Sequence, residues 1–131
     1  MKDCRACYKL SKTPELLDPD GKTPRFWWFE AFVKEKQMFF VAEDDKKVVG
    51  YVMAERTTGN IAIVQMIDVK KEYQRMEIGN ALMKRIEEEC KKRKLRAILL
   101  YGYAPNKKTI GFFKHEGYDE GSLTHEFLKF L

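Results

Sequence analysis

Apolar residues recur at helical spacing through TPRFWWFEAFVKEKQ, residues 23–37, where Phe26, Phe29, Phe32 and Val33 share one stripe. Thr23 stands where an N-cap is wanted and Pro24 suits the first helical position, so a helix is predicted there. Before it, SKTPELLDPDGKT (11–23) has the prolines, glycine and D-P-D-G turn of a loop. The next stretch, MFFVAEDDKKVVGYVMAE, holds two β-rich runs about the turn Asp44-Asp45-Lys46-Lys47, the pattern of a hairpin. After a second turn, TTGN, residues 60–69 (NIAIVQMIDV) are apolar at nearly every position, as in a strand covered on both faces. Residues 38–69 therefore predict a three-stranded antiparallel meander. A long amphipathic helix is predicted from about Gly79 to Lys94, with Ile78, Leu82, Ile86 and Cys90 on one buried stripe. LRAILLYGYA (95–104) reads as a buried strand, and NKKTIGFFKHEGY as a short helix closed by Gly117. THEFLKFL alternates with period two and is predicted to be a last strand. The strand–helix–strand unit 61–69, 79–94, 95–104 requires a parallel pair. The predicted fold class is mixed α/β: a mostly antiparallel, twisted sheet flanked by helices.

Composition narrows this picture a little. A chain of 131 residues, 44% hydrophobic and 13% aromatic, can bury a core, and one domain spanning 1–131 is expected. The net charge of +5 suits an anionic partner, whether a phosphate-rich cofactor, nucleic acid or an acidic surface. The basic residues are interleaved with acids, so most belong to a solvated face. No apolar run reaches the length of a bilayer span, and MKDCRACYKL lacks a signal-peptide core, so a cytoplasmic protein with no membrane partner is expected. Cys4, Cys7 and Cys90 make an odd count, against a disulfide framework. The C-x-x-C of CRAC lacks two further ligands, since His115 and His125 show no partner spacing, and no metal site is expected.

Candidate chemistry gathers in EYQRMEIGNALMKRIEEECKK, residues 72–92. A strand ends near Val69, the chain turns through Lys70–Met76, and a helix begins at residues 77–80. The first N–H groups of a helix have no internal partner and lie at its positive end, which makes an anion site. A small residue, Gly79, lets a phosphate approach closely, and Lys70, Lys71 and Arg75 add positive charge. Every helix has such an end, so these features alone imply no more than a turn capping a helix.

The wider pattern says more. YQRMEIGNALM resembles the acetyl-coenzyme A loop of the GNAT N-acetyltransferase superfamily, whose signature Gln/Arg-x-x-Gly-x-Gly/Ala follows a buried strand and opens a helix. Gln74 fills the first position and Gly79 the last. KKVVGYVMAE resembles the family's third strand, and IVQMIDVKKEYQ its strand and approach to the loop. APNKKTIGFFKHEGY resembles its second motif, carried here by Asn106, Phe112, Phe113, Gly117 and Tyr118. These matches cover residues 38–131, while residues 1–37 match nothing beyond containing a helix. The resemblance implies transfer of an acetyl group from acetyl-coenzyme A, as cosubstrate, to a primary amine of a small molecule or peptide. The cofactor-binding residues it implies are Ile67, Asp68 and Val69 on the strand, Gln74, Arg75, Met76, Glu77, Ile78, Gly79 and Asn80 at the loop and helix start, and Asn106 and Phe113 beyond.

Two positions depart from the family pattern. Glu77 replaces the signature's middle glycine. A carboxylate about 5–6 Å from a pyrophosphate costs a few kcal/mol before screening, while a glutamate in the first helical turn favours the empty helix. The expectation is a phosphate cradle weakened but not abolished. Phe113 stands where many relatives carry a tyrosine thought to protonate the leaving thiolate. Attack also needs a deprotonated amine, and a lysine-like amine has a pKa of about 10.4. Positions where relatives carry a base read Ile63 and Gln65, neither titratable; Glu55 ends the preceding strand. Tyr101 is the candidate catalytic residue, five before Asn106, with a half-buried packing role as the plainer alternative. Trp27, Trp28 and Phe29 could line an acceptor pocket, fill the core or form a homodimer interface. Two rival functions remain on the sequence. One is a degenerate GNAT-fold acyl-coenzyme A-binding or regulatory module. The other is a nucleic-acid-binding module, not the expected one because no RNA-recognition run is present.

Overall fold

The protein is described by a computed structural model covering residues 2–11, 26–102, 106–125, 127 and 129. The element order is α1 (Lys2–Leu10), α2 (Phe26–Lys34), β1 (Met38–Asp44), β2 (Lys47–Arg56), β3 (Ile61–Val69), α3 (Ile78–Lys92), β4 (Ala97–Leu100) and α4 (Lys107–His115). A 3-10 turn, Lys71–Tyr73, lies between β3 and α3. The chain divides into two compact units between Leu100 and Tyr101, and each is described by itself.

In the first unit the four strands form one sheet in sequential order. β1 pairs with β2 and β2 with β3, both antiparallel, which is the predicted meander. β3 and β4 are parallel, as the intervening helix requires. Strand alternation sends Phe39, Val41, Tyr51, Met53, Met66 and Asp68 to one face and Met38, Phe40, Gly50, Val52 and Ala54 to the other.

The first face is covered by α1 and α2. Cys4 and Cys7, three apart and therefore on one side of α1, pack with Phe29, Phe32, Tyr51 and Met53. This spacing is a helix burying its thiols, and burial pushes the Cys7 thiol up to about 12. Phe29 meets Tyr51 with ring centroids 5.7 Å apart, and Trp28 meets Phe32 edge-on at 5.7 Å. Phe29 is thus a core residue and half-buried Trp28 packs against that core, whereas Trp27 is 60% exposed. α3 covers the opposite face. Of the predicted stripe, Leu82, Ile86 and Cys90 are buried together with Met83, while Ile78 at the helix start is half-buried. Cys90 Sγ lies 3.8 Å from Met38 Sδ, and the Arg85 guanidinium stacks 4.2 Å from the Phe40 ring centroid. Gly50 makes this seating possible. A Cβ there would come within 3.1 Å of the Asp68 carbonyl and 3.4 Å of Ile78 Cγ2.

In the second unit α4 ends as predicted at Gly117, whose φ of +90° suits glycine. The amides of Gly117 and Tyr118 bond the carbonyls of Lys114 and Phe113, the doubled closure of a Schellman end.

Three expectations need correction or fall outside the described residues. β4 is shorter than residues 95–104: Leu95 is used to close α3, its amide bonding the Cys90 carbonyl, and Tyr101 and Gly102 lie past the strand. The predicted last strand is not formed by its described members Thr124, His125, Phe127 and Lys129. Alternation makes a strand only where a neighbouring edge and a core receive it, and Phe127 is 92% exposed. Most of the predicted loop 11–23, the Thr23/Pro24 helix start and Tyr103 lie outside the described residues.

Candidate functional site

The site begins where β3 runs out. Past Val69 the Lys70 amide bonds the Val49 carbonyl at 2.8 Å, and the chain enters the 3-10 turn. The Tyr73 hydroxyl donates to Asp44 Oδ2 at 2.7 Å, tying this turn to the β1–β2 hairpin. Gln74 Nε2 donates to the Val69 carbonyl at 3.2 Å, so the first residue of the signature holds the loop against its own strand.

Glu77 occupies the N-cap position of α3 with φ 58° and ψ 19°, the left-handed region. This corrects the expectation that it sits in the first helical turn: that turn holds no acidic residue. It also explains why the family pattern wants glycine here. A left-handed residue with a Cβ costs on the order of 1–2 kcal/mol. The Glu77 side chain makes no capping bond, although its carbonyl accepts from the Ala81 amide at 3.0 Å. The amides of Ile78, Gly79 and Asn80 therefore stand at the positive end of a fifteen-residue helix with no side-chain cap. Gly79 itself has ordinary helical φ, so its role is a bare approach to those amides rather than a special backbone angle. Arg75, Met76 and Glu77 are exposed around the same turn.

Beside this helix start lies an open strand edge. β4 pairs with β3 only from Ile61↔Ala97 to Val64↔Leu100. Among the described residues, Gln65–Val69 carry no strand on that side. The register against β2 jumps at the same point, from Met53↔Met66 to Ala54↔Val64, leaving Gln65 as the extra residue of a bulge. Among the described residues of the first unit, Ile67, Asp68 and Val69 thus present backbone along an unpaired edge that leads directly into the loop and α3. The Asp68 side chain has a different use. Its Oδ2 accepts a 2.6 Å bond from the hydroxyl of fully buried Tyr51. Burial pushes the Asp68 carboxyl up, and the Tyr51 bond draws it partly back. A carboxyl raised in the folded state binds its proton more tightly there, so its contribution to stability falls as pH rises from the unfolded value through the folded one.

The remaining expected residues belong to the second unit. Asn106 caps α4, its side chain accepting from the Thr109 amide at 3.1 Å. Phe113 is buried, packed edge-on against Phe112 and Tyr118 at 5.1 and 5.9 Å. Tyr101 is 70% exposed, which removes the half-buried packing role. The structure therefore joins Ile67–Val69 and Gln74–Asn80 into one strand–turn–helix segment of the first unit, while Tyr101, Asn106 and Phe113 belong to the second unit. Sequence reasoning missed one pair: Gln65 Nε2 donates to Glu55 Oε1 at 2.8 Å. The available signal was that Gln65 and Asp68 are the polar interruptions of an otherwise apolar strand.

A freed strand edge running into an uncapped helix start, on a mixed sheet of this order, is the architecture of the acyltransferase class whose loop signature the sequence resembles. The chain belongs to the acetyltransferase (GNAT) family, which matches residues 2–118. An uncharacterised N-acetyltransferase of Methanocaldococcus jannaschii is 29% identical over 112 residues, covering 80% of this chain and 50% of that protein. The chain spans about half the length of the curated relatives it matches. Among solved structures, an aminoglycoside N-acetyltransferase bound to a bisubstrate analogue has the same fold, with TM-score 0.81 at 14% identity, covering 99% of this chain and 93% of that one. The PaiA N-acetyltransferase of Thermoplasma acidophilum, in complex with coenzyme A, gives TM-score 0.72 at 18% identity, covering 94% and 87%.

Proposed function

We propose that the whole chain works as one N-acetyltransferase domain, moving an acetyl group from acetyl-coenzyme A to a primary amine. The observation that carries this is the continuity of the open β3 edge at Gln65–Val69 with the uncapped amides of Ile78, Gly79 and Asn80. The strand edge suits an extended pantetheine arm, which pairs with backbone as an added strand does. The helix start suits a pyrophosphate. That relatives of this fold are solved with coenzyme A supports the same reading.

In the reaction the amine nitrogen attacks the thioester carbonyl, the carbon–sulfur bond breaks, the amine loses a proton and the thiolate gains one. A strand amide such as that of Ile67 is the natural donor to the developing oxyanion. Phe113 has no hydroxyl to protonate the thiolate, so this chain leaves that proton to water or to exposed Tyr101. Asn106 is committed to capping α4 through its oxygen, which leaves its amide hydrogens for the cofactor arm.

The test is calorimetric titration of acetyl-coenzyme A, followed by thiol release with a panel of amines. A dissociation constant tighter than about 100 μM, roughly −5.5 kcal/mol, with amine-dependent thiol release is the expected result. Absence of binding at millimolar ligand would instead leave an inherited fold with the activity lost. Tyr101→Phe should lower kcat about tenfold or more with the acetyl-coenzyme A affinity unchanged; an unchanged kcat removes Tyr101 from the mechanism.

A further inference from the structure

Among the described residues of the first unit, α1 and α2 do not cover the whole of their face of the sheet. Strand register sets Glu55 opposite Ile63, and Ile63 opposite Leu99, so the three form a row across β2, β3 and β4 on that face. α1 and α2 pack against β1 and β2 at Phe39, Val41, Val48, Tyr51 and Met53. The row lies beyond this core: Glu55 and Ile63 are half-buried, and Leu99 is 42% exposed. The bulge at Gln65 turns a second side chain toward Glu55 and fixes it, with Gln65 Nε2 donating to Oε1 at 2.8 Å. Among the described residues no lysine or arginine forms an ion pair with Glu55, and Oε2 accepts no hydrogen bond. A half-buried carboxylate held in one orientation, with one oxygen open and no cation beside it among the described residues, is complementary to a cationic donor from outside the chain. The aliphatic side chains of Ile63 and Leu99 beside it suit a hydrocarbon stem rather than a sugar or a second charge.

We infer that Glu55, oriented by Gln65, is the acceptor-recognition carboxylate, and that the acceptor is an alkylammonium: one charged amine on an aliphatic arm. Gln65 is also the first residue of β3 past its pairing with β4, about 7 Å along the strand from Ile67. The ammonium head is therefore held next to the edge assigned to the thioester. The inference rests on the transferase reading for its chemistry, and its test is kept separate from turnover.

The probe is n-pentylamine added to the full chain labelled with carbon-13 at the glutamate carboxyls, with 1-pentanol as the uncharged control. Glu55→Gln identifies the Glu55 resonance by its loss. The expected result is a saturable shift of that resonance with pentylamine, none with pentanol, and a weakening of about fivefold in Gln65→Leu, which frees the carboxylate to rotate. An unmoved Glu55 resonance, an equal response to pentanol, or the same response from exposed glutamates would overturn the assignment. Acetyl-coenzyme A affinity should agree within about twofold between Glu55→Gln and the parent protein, since the variant removes no group from the donor site. Should the parent protein fail to bind acetyl-coenzyme A while Glu55 still responds to pentylamine, the transferase reading falls and the ammonium site stands.

Discussion

The two helices that follow β3 and β4 begin in opposite ways. At α4 the Asn106 side chain occupies the Thr109 amide, so the helix start is satisfied from within the chain. At α3 the N-cap is Glu77, held left-handed, with no side-chain bond to any amide. A cap stabilises a helix by about 1 kcal/mol, so leaving α3 uncapped and strained forfeits stability on two counts. A helix start that is left open keeps its donors for a ligand, whereas a closed one is a structural element. The long α3, seated by Gly50 and buried along Leu82, Met83, Ile86 and Cys90, can carry that loss because tertiary packing supplies most of its stability.

The contrast can be broken most strongly at Gly79. Gly79→Asp adds a charge that suits an empty helix start and replaces the poorest non-proline helix former, so thermal stability should rise by about 0.5–1 kcal/mol. The same charge should weaken acetyl-coenzyme A binding about thirtyfold, about 2 kcal/mol, in calorimetry. A loss of stability and affinity together would point to misfolding rather than an anion site. Asn106→Ala should destabilise the protein by about 1 kcal/mol in denaturant unfolding, the ordinary cost of a lost cap. Glu77→Gly should relieve the left-handed strain, partly offset by the flexibility glycine adds to the unfolded chain, for a net gain of about 0.5 kcal/mol. It should also tighten acetyl-coenzyme A about fivefold, with the difference shrinking in high salt; an affinity that stays put would show that the Glu77 carboxylate points away from the ligand. The smallest effect is expected from Gln74→Ala, which removes one exposed bond to the Val69 carbonyl and should change stability by about 0.5 kcal/mol.

Much of the fold was legible before any coordinates. The hairpin about the turn Asp44–Lys47 and the stripe of α3 carry patterns that one element satisfies, and the nearly continuous apolar run of β3 is bounded by turns and short enough for a strand. Gly117 closed α4 where a positive φ was needed. The missed helix α1 is short, and its Cys4 and Cys7 resemble a ligand pair until the neighbouring Phe29 and Tyr51 show them to be packing. The described members of the predicted strand at 124–131 form none for the converse reason, since alternation without a described edge to join is only a pattern. The loop from Gln74 to Asn80 could be located from its residues, but the cost of Glu77 was assigned to charge alone because φ is not written in a sequence.

The sequence by itself determined the antiparallel meander, the long amphipathic α3 and the glycine stop of α4, because period, turn chemistry and helix polarity are local properties of the chain. Only the tertiary structure decided that β4 leaves β3 after Val64, that a bulge brings Gln65 to Glu55, and that the Asp68 carboxylate is spent on Tyr51. Those are facts of register between strands distant in sequence, and a shift of one residue would send each of these side chains to the other face.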